Sequence, residues 1–241
     1  MPRPILVFAL ACLFLSLTLT PSRSSARQLS STKGSAAAAL EQEVLKEINL
    51  ARTRPAEYAA YLEQLRPYFK GKEYTRPGMP GLLTREGTQA LDDAIGFLRA
   101  ARPAPALSLS QGMRSGAFEL VREQAGTDST GHKGRDGSFC EQRTQRFGSW
   151  QEPIGENLSY GNETARERVL TLLIDDGFAN RGHRQRLLNA AFRVAGVACG
   201  DHKLGAMCVI TLAGGFNDGA KAAQPAAKSA APSLPAGARR Y

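Results

Sequence analysis

The chain has 241 residues, with 31 Lys and Arg against 22 Asp and Glu, a formal net charge of +9, four cysteines and only three histidines. That length suffices for one well-buried domain with appendages. The basic residues are scattered along the chain, which argues against a nucleic-acid surface; beyond the N-terminal segment, no stretch is apolar enough to cross a bilayer.

Residues 1–26 read as an export signal. Arg3 charges the start, the run from Ile5 to Leu19 is apolar but shorter than a membrane span, and Ser24, Ser25 and Ala26 give a small-residue exit. Retention as a membrane anchor is the alternative. Export places the mature chain in a periplasmic or extracellular setting, where disulfides form. Residues 27–38, rich in Ser, Ala and Gly, predict a flexible lead-in.

The folded domain is expected over residues 39–216. Val44, Leu45, Ile48 and Ala51 recur at helical spacing and predict a first helix over 39–52. Pro55 suits the first position of a second, short helix carrying Tyr58, Tyr61, Leu62 and Leu65. Residues 67–84, broken by Pro67, Pro77, Pro80 and three glycines, predict a loop. A helix bearing Leu91, Ala94, Ile95 and Leu98 ends by Pro103, and Ser108 or Ser110 can cap the next, with Met113, Ala117, Leu120 and Val121 inward. Residues 126–153 show no period and predict a long loop of the kind that often carries function. A buried helix follows over 164–176, then a short turn of helix after His183. The runs 194–199 and 208–212 are β-rich and predict strands of a covered sheet. They place Cys199 and Cys208 across a hairpin, so one bridge there leaves Cys140 over; a Cys140 pairing is the open alternative. His202 falls in the hairpin turn and reads as solvated. Residues 217–241, made of Ala, Pro, Lys and Ser, predict a disordered tail. Helices dominate and strands cluster late, which gives an α+β class.

The chemistry-bearing residues sit in three glycine-flanked stretches: Gly131-His132-Lys133-Gly134, Gly155-Glu156-Asn157 and Arg181-Gly182-His183-Arg184. Imidazole and carboxylate bind divalent metals or move protons near neutral pH, and flanking glycines let such groups converge from separate loops. Asp175 and Asp176 close the buried helix just before His183. An acid at a helix C-terminus opposes the macrodipole, so an imidazolium or a metal beside it would offset the cost. Arg143 and Asn157 read as loop-fixing groups.

In their order and wording these stretches resemble the CAP superfamily, the cysteine-rich secretory, antigen 5 and pathogenesis-related proteins, in its bacterial SCP-like branch. Asn49, Arg52 and Pro55-Ala56 with Tyr58-Ala59 resemble its opening. His132 with Gly134 and Arg143 resembles its first-histidine segment, and Gly155-Glu156-Asn157-Leu158 its shortest signature. Gly182-His183-Arg184, Leu187-Leu188-Asn189, Phe192 and Gly196-Val197 resemble its ending. The likeness runs from about Leu40 to Phe216. It implies a three-layer α-β-α sandwich around a small, mostly antiparallel sheet, with a cleft holding two histidines and two acids. The matching residues are His132, Glu156 and His183, with Asp176 as the candidate second acid, and together they form the expected metal set. Zinc suits such donors. The expected function is a monomeric, exported metal-binding module that takes a small-molecule, lipid or cell-envelope ligand. A hydrolase with Glu156 as candidate catalytic base is one alternative, and an inert polar cleft in an interaction protein is another. A further alternative is a basic surface that attaches the protein to an anionic envelope. No serine or cysteine pairs with a base, which argues against a conventional enzyme.

Overall fold

The computed structural model describes residues 23–78, 81–161 and 163–219. Most of the expected export signal and of the expected tail lies outside those residues. The chain divides into two units after Gly34. The described part of the first is helical backbone, the opening turns of α1 (Arg23–Thr53). The lead-in expected over 27–38 is therefore helical: its run Ala36-Ala37-Ala38-Ala39 has the strongest helix propensity of any residue type.

In the second unit, α1 buries Val44, Ile48 and Ala51, and α2 (Pro55–Glu63) starts on its proline and buries Tyr58, Ala59 and Leu62. The expected loop over 67–84 instead holds a 3-10 turn and an antiparallel ribbon of three two-residue strands, β1 (Phe69–Lys70), β2 (Glu73–Tyr74) and β3 (Leu82–Leu83). After α3 (Thr88–Ala100) comes β4 (Ser108–Leu109). Ser110 then caps α4 (Gln111–Gln124), its hydroxyl accepting the Met113 N–H at 3.1 Å.

Two elements occupy the expected long loop over 126–153: α5 (Cys140–Gln145) and the first part of β5 (Gly148–Gly161). Next, α6 (Ala165–Ile174) opens on a reciprocal capping box between Thr164 and Glu167. It stops because Asp175 takes a left-handed conformation, φ 55°. The short α7 (Gly182–Leu188) leads to β6 (Val194–His202) and β7 (Gly205–Asp218). Strand β7 runs beyond the expected boundary at 216, and the Asp218 carboxylate accepts the Ser110 hydroxyl at 2.9 Å and the Gly112 N–H.

The main sheet has the order β4-β6-β7-β5, with β4 parallel to β6 and the other pairs antiparallel. Alternation along the strands feeds two cores. Ala195, Val197, Ile210 and Leu212 pack with α1, α2, α3 and α6, whereas Ala198, Met207 and Val209 pack with Ala117, Leu120 and Val121 of α4. The architecture is thus the expected α+β sandwich of three layers. At Gly196 a Cβ would collide with the Met113 and Arg114 backbone, so glycine there lets α4 lie against β6. Cys199 and Cys208 face each other across β6 and β7 and are bridged, as the hairpin spacing predicts; Cys140 is free and buried.

Arg52 ties the helical layer to the chain after α7. Fully buried, it donates to the carbonyls of Pro105 at 2.9 Å, Leu187 at 2.6 Å, Asn189 at 3.0 Å and Phe192 at 2.9 Å. Desolvation, helped by nearby Arg193, pulls its guanidinium down to about 10. Replacing it by methionine keeps most of the stem and orphans those carbonyls. Arg52→Met should cost about 3 kcal/mol, read as a lower urea midpoint with an unchanged slope.

Candidate functional site

Strand β5 is an edge of the main sheet, and its adjacent residues Glu156 and Asn157 point to opposite faces. Glu156 shares the α4–α5 face, beside Thr211 of β7, while Asn157 shares the α6–α7 face. One strand position therefore reaches into both outer layers. The expectation that Gly155-Glu156-Asn157 is a loop is corrected here: all three residues lie within β5.

On the first face, Glu156 is almost fully buried and both its oxygens are engaged. Oε1 accepts the His132 Nδ1–H at 2.9 Å. Oε2 accepts Arg143 Nη2 at 2.6 Å and the Thr211 hydroxyl at 3.3 Å. A carboxylate only accepts, so the His132 proton sits on Nδ1 and Nε2 is the free ring nitrogen. Arg143, itself fully buried, also donates to the carbonyls of His132 and Ser138 at 3.0 Å each. It fixes the loop and the acid together, as the sequence reading of a loop-fixing arginine expects. Tyr160 and Gln124 hold the loop from the other side, through the Gly131 N–H to the Tyr160 hydroxyl at 3.0 Å and Gln124 Nε2 to the Gly131 carbonyl at 2.8 Å.

On the second face the acid beside His183 is Asp175, and this corrects the assignment of Asp176. Asp175 Oδ1 accepts the His183 Nδ1–H at 2.6 Å, and Oδ2 accepts the His183 backbone N–H at 2.8 Å. Asp176 turns the other way and accepts the backbone N–H groups of Arg85 at 2.7 Å and Glu86 at 2.8 Å, anchoring the segment before α3. The left-handed turn at Asp175 separates the two neighbours. Arg184 meets the orphan carbonyls of α6 by donating to Leu173 and to Ile174. Arg181 clamps the loop between Asp175 and His183. It pairs in two-pronged fashion with Glu86 at 2.6 and 2.7 Å, and donates to the Asp175 carbonyl at 2.8 Å. Asn157 joins the halves by donating to the His183 carbonyl at 3.1 Å.

Bonds from Arg181 and then the Gly177 N–H hold the Glu86 carboxyl down to about 2, below its ordinary 4.5. A depressed acid contributes its stability above its unfolded pKa and loses it as pH falls through the folded one. The clamp should therefore persist through mild acid and release only near pH 2, with the His183 amide signals reporting its release in an NMR titration.

Two hollows meet at the histidines, sharing Gly131, His132, Phe178 and His183. One, of about 730 Å³, is walled by Leu65, Phe69, Leu158, Leu170 and Ile174. The other, of about 560 Å³, is lined by Lys133, Cys140, Glu141 and Arg186. Among the described residues, no group of three or more His, Cys, Asp or Glu is disposed to hold a metal. Of the expected metal set, His132 and His183 present free Nε2 atoms, Glu156 stands behind one ring, and Asp176 lines the larger hollow with its carboxylate bonded to the Arg85 and Glu86 N–H groups. His202, expected to be solvated, is buried, with Nε2 donating to the Ser129 carbonyl at 2.9 Å and Nδ1 accepting the Leu204 N–H at 3.1 Å.

The model of the cysteine-rich secretory protein (CAP) family matches residues 93–211, a span that holds both imidazole–carboxylate pairs. Over those residues the chain carries a CAP domain. The matched span is narrower than the likeness read from the sequence and takes in α4 to α7 and most of the main sheet. No curated protein matches this CAP chain. A solved structure of an extracellular protein containing an SCP domain, from Bacillus anthracis, is 21% identical with a TM-score of 0.38. The alignment covers 52% of this chain and 39% of that one, so the chain spans well under half of that neighbour's length.

Removing Arg143 would strand the Glu156 charge inside the CAP domain. Arg143→Met should cost about 3–5 kcal/mol in chemical denaturation, and adding Glu156→Gln should recover a large part of it.

Proposed function

We propose that this CAP-domain protein is exported and that its cleft binds a divalent cation, zinc by donor chemistry, through Nε2 of His132 and His183. The cation in turn engages a small-molecule or cell-envelope ligand. Export rests on the composition of residues 1–26. One observation carries the metal reading: each imidazole gives its Nδ1–H to a buried carboxylate and keeps Nε2 free. That is how proteins orient and enrich metal-ligating histidines, with the acids behind the rings rather than on the metal. Two imidazoles fit zinc as a partial ligand set, with water completing the shell; bound zinc would supply a Lewis-acidic anchor.

The ligand reading is supported by the apolar hollow beside the histidines, whose volume of about 730 Å³ falls in the range of small-molecule sites. Hydrolysis with Glu156 as general base has less support. Both Glu156 oxygens are bonded and its side chain is only 2% exposed, which leaves it no water to activate.

Zinc calorimetry tests the metal reading. The double variant His132→Ala, His183→Ala should lose the binding seen in the native protein; equal affinities would sink the proposal. Asp175→Asn should weaken zinc by about 10–100-fold through the ring it orients. Asp176→Asn should leave zinc binding unchanged, since its carboxylate serves only the backbone at residues 85 and 86.

A further inference from the structure

Arg186 lies three residues beyond His183 on α7, so the two side chains share one side of that turn. Its stem passes over Gly155 of β5, where even a Cβ would come within 2.8 Å of Cδ and 3.0 Å of Nε. Glycine at 155 thus leaves the space that draws this arginine into the hollow beside the histidines. Its hydrogen bond goes to a neutral partner, from Nη1 to Asn157 Oδ1 at 2.5 Å, and among the described residues it forms no ion pair. This contrasts with its neighbours: Arg181 pairs with Glu86 and Asp93, and Arg184 pairs with Asp93. A guanidinium has five N–H donors in a planar fork, and one amide oxygen leaves most of them unanswered. Burial lowers the Arg186 pKa, opposed by Cys140, Asp175 and Glu156, so the half-buried group sits near both imidazole–carboxylate pairs.

The charges of the cleft point the same way. Glu156 is already matched by Arg143, and both Asp175 oxygens are spent on His183. Lys133 adds a second cation to the lining of the hollow, and Glu141 an acid. With a dication on the histidines, the hollow would hold positive charge in excess, and an oxyanion answers both needs. It neutralises that charge and fills the fork that Asn157 leaves open.

We infer that Arg186 is the anchor of an oxyanion subsite, so that the ligand of this cleft is a small soluble molecule carrying a phosphate or carboxylate group next to the histidine pair. This assignment builds on the cleft proposed above but does not need the metal. Asn157 holds the fork and Gly155 makes room for it; Arg186 itself makes the contact.

Phenyl phosphate and benzoate, with neutral phenol as control, can be titrated by NMR into the full chain with zinc and again with a chelator. Both anions should shift the Arg186 Nε–H resonance in the native protein, and phenol should not. Arg186→Gln should weaken phenyl phosphate by about tenfold or more, and Arg186→Lys by less, since lysine keeps the charge and loses the fork. Zinc affinity of Arg186→Gln should be equal or higher, because a like charge is gone, and that measurement also shows the variant to be folded. Anion binding that depends on Arg186 when zinc fails to bind would end the metal reading and leave the subsite standing. Zinc binding with an unmoved Arg186 resonance, or with equal phenyl phosphate affinity in Arg186→Gln, would overturn the subsite. So would binding to phosphatidic acid vesicles without any binding of phenyl phosphate, since the ligand would then be a membrane headgroup.

Discussion

The period of two along an edge strand organises this cleft. Because adjacent side chains of β5 leave the sheet on opposite faces, Glu156 and Asn157 deliver one polar group to each outer layer from a single point. Each layer then sends back a histidine, one from the loop after α4 and one at the start of α7. A central strand could not do this, since its flank would be closed by the next strand. Position at the edge leaves open the space in which the two imidazoles and Arg186 meet.

The carboxylates and guanidiniums around the rings serve rigidity more than binding. Glu156 and Asp175 are buried and bonded on every oxygen, and Arg143 and Arg181 each tie a loop to an acid and to backbone carbonyls. Long loops cost entropy to hold in one geometry, and these multi-point contacts offset it where the rings must be placed. The free ring nitrogens and the under-used Arg186 fork belong to residues that line the hollows, which is why they carry the functional reading.

Much of this was legible in the sequence, and the reasons for the rest are physical. Helical periodicity located α1 to α4 and α6, and β-branched runs located β6 and β7 with their bridged cysteines. Strand β5 was hidden because Gly148, Pro153, Gly155 and Gly161 break its pattern and its cleft positions are polar. The family likeness placed His132, Glu156 and His183 in one cleft, and the geometry joins the first two directly. It misplaced the second acid by one residue, because a left-handed turn at Asp175 is invisible to helical spacing. Arg186 carried no signal, being one arginine among several near His183; only the empty Cβ position at Gly155 shows where its stem goes.

The odd cysteine has a consequence of its own. Cys140 lies buried in the wall of the smaller hollow, and burial, joined by the charges of Glu156 and Glu141, raises its thiol well above the ordinary range. Thiol–disulfide exchange needs the thiolate, so this sulfur is a poor nucleophile at any physiological pH. If the chain is exported as proposed, this burial would keep its spare sulfhydryl from scrambling the hairpin bridge.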